Sequence, residues 1–144
     1  MNPQKRRWFE HRHLVTFEDT NAAGSVYFAK YFSWQGEIRE RLLAQFYPEF
    51  AADLHQGFGM ITEFAQQEFF REAVLFDQVV MRLGVAALSR SRIEFEFEFL
   101  RDPDGLLLAR GRQAVIWTNR QHHPSLMPDK LFDATAHYFG LPEA

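Results

Sequence analysis

The chain has no cysteine. That absence excludes disulfide bridges, thiolate-ligated zinc and a thiol nucleophile together. No window approaches the ~20 apolar residues that a membrane span needs. The opening stretch from Met1 to Phe9 is polar and basic, with no apolar segment behind it as in a secretion signal. Positive charge is not in excess: 16 Lys and Arg stand against 19 Asp and Glu, for a net charge of −3. The two signs are interspersed, whereas a nucleic-acid surface needs a basic patch. Glycine-rich dinucleotide and phosphate-loop motifs are missing. His11 and His13 share a face of an extended segment, but no third ligand of suitable spacing follows, so no metal and no cofactor is expected. The expectation is a soluble cytoplasmic protein that binds neither nucleic acid nor membrane.

What is present is apolar and aromatic. The 144 residues fit one domain spanning 1–144, with about 1–10 as a flexible lead-in. The 16 phenylalanines exceed what one helix and one sheet should bury, so self-association is expected.

Residues 11–17 alternate loosely and end in the turn formers Glu18-Asp19-Thr20-Asn21. Ala22-Ala23-Gly24-Ser25 makes a small-residue loop. From about Tyr27 to Phe46 the pattern is helical: Phe28, Phe32, Gln35, Arg39, Leu42 and Phe46 share a stripe, widened by Trp34 and Ile38. Pro48 ends it. Strands are expected over 58–70, 79–86, 92–100 and 106–119, with a short helix over about 129–139. The clearest is 92–100. Ile93, Phe95, Phe97 and Phe99 face one way, and Arg92, Glu94, Glu96 and Glu98 the other, which describes a sheet with one wet face. The fold class is α+β: a five-stranded antiparallel sheet around one long helix.

The run Phe17-Glu18-Asp19-Thr20-Asn21-Ala22-Ala23-Gly24-Ser25-Val26-Tyr27-Phe28 resembles the signature of hotdog-fold thioesterases of the 4-hydroxybenzoyl-CoA type. In that signature Asn21 stands where the catalytic Asp usually lies. The continuation Tyr31-Phe32-Ser33-Trp34-Gln35-Gly36-Glu37-Ile38-Arg39-Glu40 is more specifically similar to thioesterases of enediyne-type polyketide pathways, which also carry Asn there and an Arg on the helix. So are Glu68-Phe69-Phe70-Arg71-Glu72 and Leu108-Ala109-Arg110-Gly111. The resemblance implies a hotdog domain in a homotetramer built as a dimer of dimers. It implies hydrolysis of a long polyketide or polyene acyl thioester, held by phosphopantetheine on an acyl carrier protein or coenzyme A. It also implies an oxyanion donor at the backbone N–H of Phe28.

The candidate residues carry chemistry of their own. Backbone N–H groups at a helix start are unsatisfied and lie at the positive end of the dipole. The loop around Gly24 delivers them without bulky side chains. Asn21 cannot titrate as a base, but its amide can orient water; it can equally bond its own backbone in a turn. Arg39 on an apolar stripe is either paired in a site, holding a water, a β-keto oxygen or a carboxylate, or engaged in a subunit-interface ion pair with Glu40, Glu68 or Glu72. Gln35 adds a polar group one turn earlier. Tyr31 either donates to the thioester or is a core aromatic. Glu68 interrupts an apolar strand and is either a replacement carboxylate or a solvated edge residue. Tyr27, Phe32 and Phe70 are candidate walls for the acyl chain, together with Phe64 and Phe69. Arg90 and Arg92, with Arg71 and Arg101, either receive the phosphate of the pantetheine arm or line a solvated edge. A hotdog dehydratase needs a His that the Asp-Thr-Asn-Ala loop lacks. A non-catalytic acyl-binding protein and a general acyl-CoA thioesterase are the remaining readings.

Overall fold

A computed structural model describes residues 7–142. The first six residues of the expected lead-in lie outside these, and Phe9 and Glu10 already belong to a strand. The elements are β1 (Phe9–Leu14), α1 (Lys30–Phe46), α2 (Phe50–His55), β2 (Gly59–Phe69), β3 (Gln78–Leu88), β4 (Arg92–Asp102), β5 (Leu106–Thr118) and α3 (Asp129–Phe139). The five strands form one antiparallel sheet in the order β1-β3-β4-β5-β2. This is the hotdog arrangement, with α1 packed on the sheet.

The alternation of β4 decides which face holds the helix. Ile93, Phe95, Phe97 and Phe99 are buried at 2% exposure or less. They pack with Tyr31, Trp34, Ile38 and Leu42 of α1 in one core. The glutamates between them face outward and meet arginines of neighbouring strands, as in Arg112–Glu94 at 2.7 Å and Arg82–Glu98 at 3.3 Å. Half-buried surface pairs of this kind contribute about 1 kcal/mol or less each. Their larger effect is to keep that face wet.

Two helix expectations are corrected. α1 begins at Lys30 rather than Tyr27, because the residues before it form a turn that ties the chain to the preceding loop. The Tyr27 N–H goes to Asp19 O (3.0 Å), and the Tyr27 carbonyl takes the Lys30 N–H (2.9 Å). The buried face of α1 is also rotated. It centres on Tyr31, Trp34, Gln35, Ile38 and Leu42, while Phe28 and Phe32 remain exposed on its flank. α2, directly after Pro48, had no periodic signal in its six residues.

Among the described residues, β2 pairs with β5 alone and leaves its other edge open. Eleven residues of unpaired edge are a template for another strand. Ile61 and Phe69 on it are about half exposed, and Phe17, Phe28, Phe32, Phe70 and Phe76 are exposed elsewhere. No helix among the described residues is long and apolar enough to cross a membrane.

Candidate active site

The loop before α1 is built on Asp19. Its carboxylate is buried and accepts the Thr16 N–H (2.9 Å), the Thr16 hydroxyl (3.2 Å) and a contact from His13 Nε2 (2.7 Å). Burial pushes its pKa up. The Thr16 N–H and His13 outweigh that and hold it below the ordinary carboxylate range. The Asp19 carbonyl takes the Tyr27 N–H, so one residue anchors both ends of the loop. Between them Asn21 and Ser25 pair at 2.8 Å, and Gly24, at φ +83°, makes the turn that a side chain would strain.

Asn21 sits exposed in this loop. Its Oδ1 accepts the Ala23 N–H (2.9 Å) and the Ser25 hydroxyl (3.4 Å), so the oxygen is used within the turn. Its amide NH2 group has no partner among the described residues.

Next to the loop, a cleft of about 290 Å³ is lined by Val26, Phe28, Tyr31, Phe69, Phe70, Arg71 and Glu72. Phe28 and Tyr31 both meet the Phe69 ring, at 6.5 and 5.3 Å between centroids. The backbone N–H of Phe28 makes no hydrogen bond among the described residues, whereas those of Tyr27 and Lys30 do. A free N–H at the start of a helix is a donor for an incoming oxygen. The Tyr31 hydroxyl, also without a partner there, is a proton donor across the working range of an enzyme. Burial, with Asp77 and Glu72 nearby, pushes its pKa up to about 12.

Farther along α1 a second polar group crosses the core. Arg39 Nη1 donates to Gln113 Oε1 on β5 (2.6 Å), and Nη2 to Glu40 (2.6 Å). The Gln113 amide donates to Gln35 Oε1 (3.4 Å). Gln35 Nε2 donates to Gln67 Oε1 (2.6 Å) and Gln66 O (3.1 Å) on β2. Arg39 Nε is buried with no partner among the described residues.

The structure thus brings Asn21, Gly24, Phe28, Tyr31 and Phe70 to one end of α1, with Tyr27 half exposed beside the cleft, its ring 4.8 Å from that of Phe28. Gln35 and Arg39 lie deeper. Nine residues from Lys30 to Arg39 span about 14 Å of helix.

Glu68 does not line this cleft. Strand alternation turns Gln67 toward the helix and Glu68 outward, where it is exposed and pairs with Arg110 at 3.5 Å. Phe64 is on the same outer face, under Arg112. Arg90 and Arg92 do not line the cleft. Arg90 stacks on Phe132 and pairs with Asp129, and Arg92 is held by Glu63 and Glu94. Arg101 is paired with Asp104. Of these arginines, Arg71 is at the cleft, where it donates to Phe70 O (3.2 Å). Gln113, Gln67 and Gly111 were missed. On β5, Gly111 and Gln113 keep step with buried Val115 and Trp117, and a polar residue in an apolar phase was the available signal.

Residues 15–135 match the thioesterase-like superfamily. The dynemicin thioesterase, whose crystal structures describe induced fit and allosteric effects upon polyene binding, is 36% identical, covers 92% of this chain and 97% of its own, and superimposes with a TM-score of 0.84. A 1,4-dihydroxy-2-naphthoyl-CoA thioesterase from Synechocystis is similar at 22% identity, covering 90% of this chain and 96% of its own, with a TM-score of 0.84. A Staphylococcus aureus protein solved in complex with CoA is 16% identical, covering 100% and 92%, with a TM-score of 0.87. The chain has no match among curated proteins. The free N–H on an aromatic cleft at the helix start, the hotdog sheet and the length of these matches agree: the chain belongs to the thioesterase-like superfamily and is a hotdog thioester hydrolase.

Proposed function

We propose that the enzyme hydrolyses a long, apolar 3-oxoacyl chain from the phosphopantetheine arm of an acyl carrier protein, as enediyne-type polyketide thioesterases do. The observation that carries the reading is the unpaired Phe28 N–H on the wall of an aromatic cleft, two residues before a long helix. The polyene bound by the dynemicin thioesterase supports the acyl class.

Phe28 N–H takes the thioester oxygen, and its contribution is largest when that oxygen becomes negative. One such donor contributes roughly 3–4 kcal/mol. The Asn21 amide holds the water and Tyr31 donates a second hydrogen bond to the oxyanion. Water attacks the carbonyl carbon, the carbon–sulfur bond breaks, and the proton leaves with the thiolate. No carboxylate nucleophile is needed, so no anhydride forms. Arg39 lies farther along α1, and its buried Nε, free of a protein partner among the described residues, is the donor for a second oxygen farther along the acyl chain. Phe28, Phe32, Phe70 and Tyr27 cover the hydrocarbon, whose burial contributes about 0.8 kcal/mol per CH₂. Arg71, rather than Arg90 or Arg92, is the cation for the phosphate of the arm. The working form is a cytoplasmic homotetramer of two dimers, with β2 edges joined.

Thiol release from a long 3-oxoacyl carrier thioester tests this with wild type and Arg39→Ala. The expected loss in kcat/KM is about 100-fold, on the order of 3 kcal/mol. Equal rates in a folded variant would make Arg39 structural.

A further inference from the structure

Arginine has donors only, so Gln113 turns its oxygen to Arg39 and keeps its NH2 for the next partner. Gln35 must then receive that NH2 on its own oxygen and donate onward to Gln67 Oε1 and Gln66 O. Each amide is fixed by the one before it. Gln35 is fully buried and Gln113 is 6% exposed. Reversing either would face oxygen with oxygen in a dry core, which costs more than a lost hydrogen bond. Gly111 makes the room. A Cβ there would lie 2.4 Å from Gln35 Nε2 and from Gln67 Oε1. Helix α1, strand β5 and the open edge strand β2 are thereby tied at one point.

We infer that Gln113 and Gln35 are positioning residues for Arg39. They hold the guanidinium by Nη1, while Glu40 takes Nη2 and the buried Nε keeps no partner among the described residues. The inference rests on the reading of Arg39 given above. A merely structural amide chain would act on stability and leave the arginine's contribution unchanged.

The test is a double-mutant cycle on hydrolysis of a long 3-oxoacyl carrier thioester, with thermal unfolding of every variant. Gln113→Met removes the acceptor at nearly constant volume. It should lower kcat/KM about 10-fold or more in the wild type, and by less than about 2-fold in Arg39→Ala. Equal losses from Gln113→Met in both backgrounds would overturn the inference, as would a fully active Gln113→Met beside a crippled Arg39→Ala. Full activity of Arg39→Ala would instead remove the reading of Arg39, and this inference with it. Where Gln113→Met does not fold, Gln113→Asn draws the same amide back by one methylene and carries the same expectations.

Discussion

Gly111 on β5 lies directly beneath the Gln35 side chain of α1, so close that an added methyl group would stand 2.4 Å from the Gln35 amide nitrogen. It would also lie 2.9 Å from the Gln66 carbonyl, a backbone atom that cannot swing aside. Gly111→Ala should therefore destabilise the protein by about 1–3 kcal/mol through overpacking. Denaturant unfolding measures it. An unchanged midpoint would mean that the amides yield without loss.

Asp19 should make stability pH-dependent. Its folded pKa is below its unfolded value, so its contribution is present above the unfolded carboxylate pKa and is lost as pH falls through the folded one. Asp19→Asn should cost about 2 kcal/mol at neutral pH, because charge-assisted hydrogen bonds to Thr16 and His13 are weakened. The melting difference between wild type and Asp19→Asn should shrink as pH is lowered through the acid range. A difference that stays constant down to pH 2 would show that the charge of Asp19 is irrelevant.

Much of the fold was readable from periodicity, and the reasons are local. The Phe and Glu alternation of β4 fixes both faces of the sheet, and Pro48 stops the long helix one residue after its observed C-cap, Tyr47. The N-terminal limit of α1 was not readable, because it depends on the Tyr27–Asp19 bond across the loop. Glu68 was drawn into the site by its type. Its outward direction follows from the pairing of β2 with β5, a relation between distant segments. Gln113 and Gln35 are 78 residues apart, and neither neighbourhood announces the other. The loop from Asp19 to Phe28 was legible because its residues contact one another.

Asn21 should leave no acidic limb on the rate profile, since an amide does not titrate. Asn21→Ala should lower kcat/KM about 10-fold or more, and Asn21→Asp should introduce an inflection near the ordinary Asp value of about 4. Rates across pH 4–9 on carrier thioesters provide the check. Full speed in Asn21→Ala would remove Asn21 from the chemistry and leave it as the turn residue its bonds to Ala23 and Ser25 describe.

Tyr31→Phe keeps the ring against Phe69 and Phe99 while deleting the hydroxyl. Because that hydroxyl stays protonated to about pH 12, the wild type should show no basic limb from it below pH 10. The variant should keep its melting temperature and lose about 10-fold in kcat. Unchanged kcat would make Tyr31 a packing residue only.

The central claim is a long acyl chain delivered by a carrier protein, and a chain-length series measures it. Initial rates are compared for carrier-bound and CoA-bound thioesters, from acetyl and benzoyl to long 3-oxoacyl and polyenoyl groups. The aromatic cleft beside Phe28 predicts kcat/KM rising with acyl length and highest on the long carrier-bound chains. Faster cleavage of acetyl- or benzoyl-CoA would contradict the account and leave a general acyl-CoA thioesterase in its place.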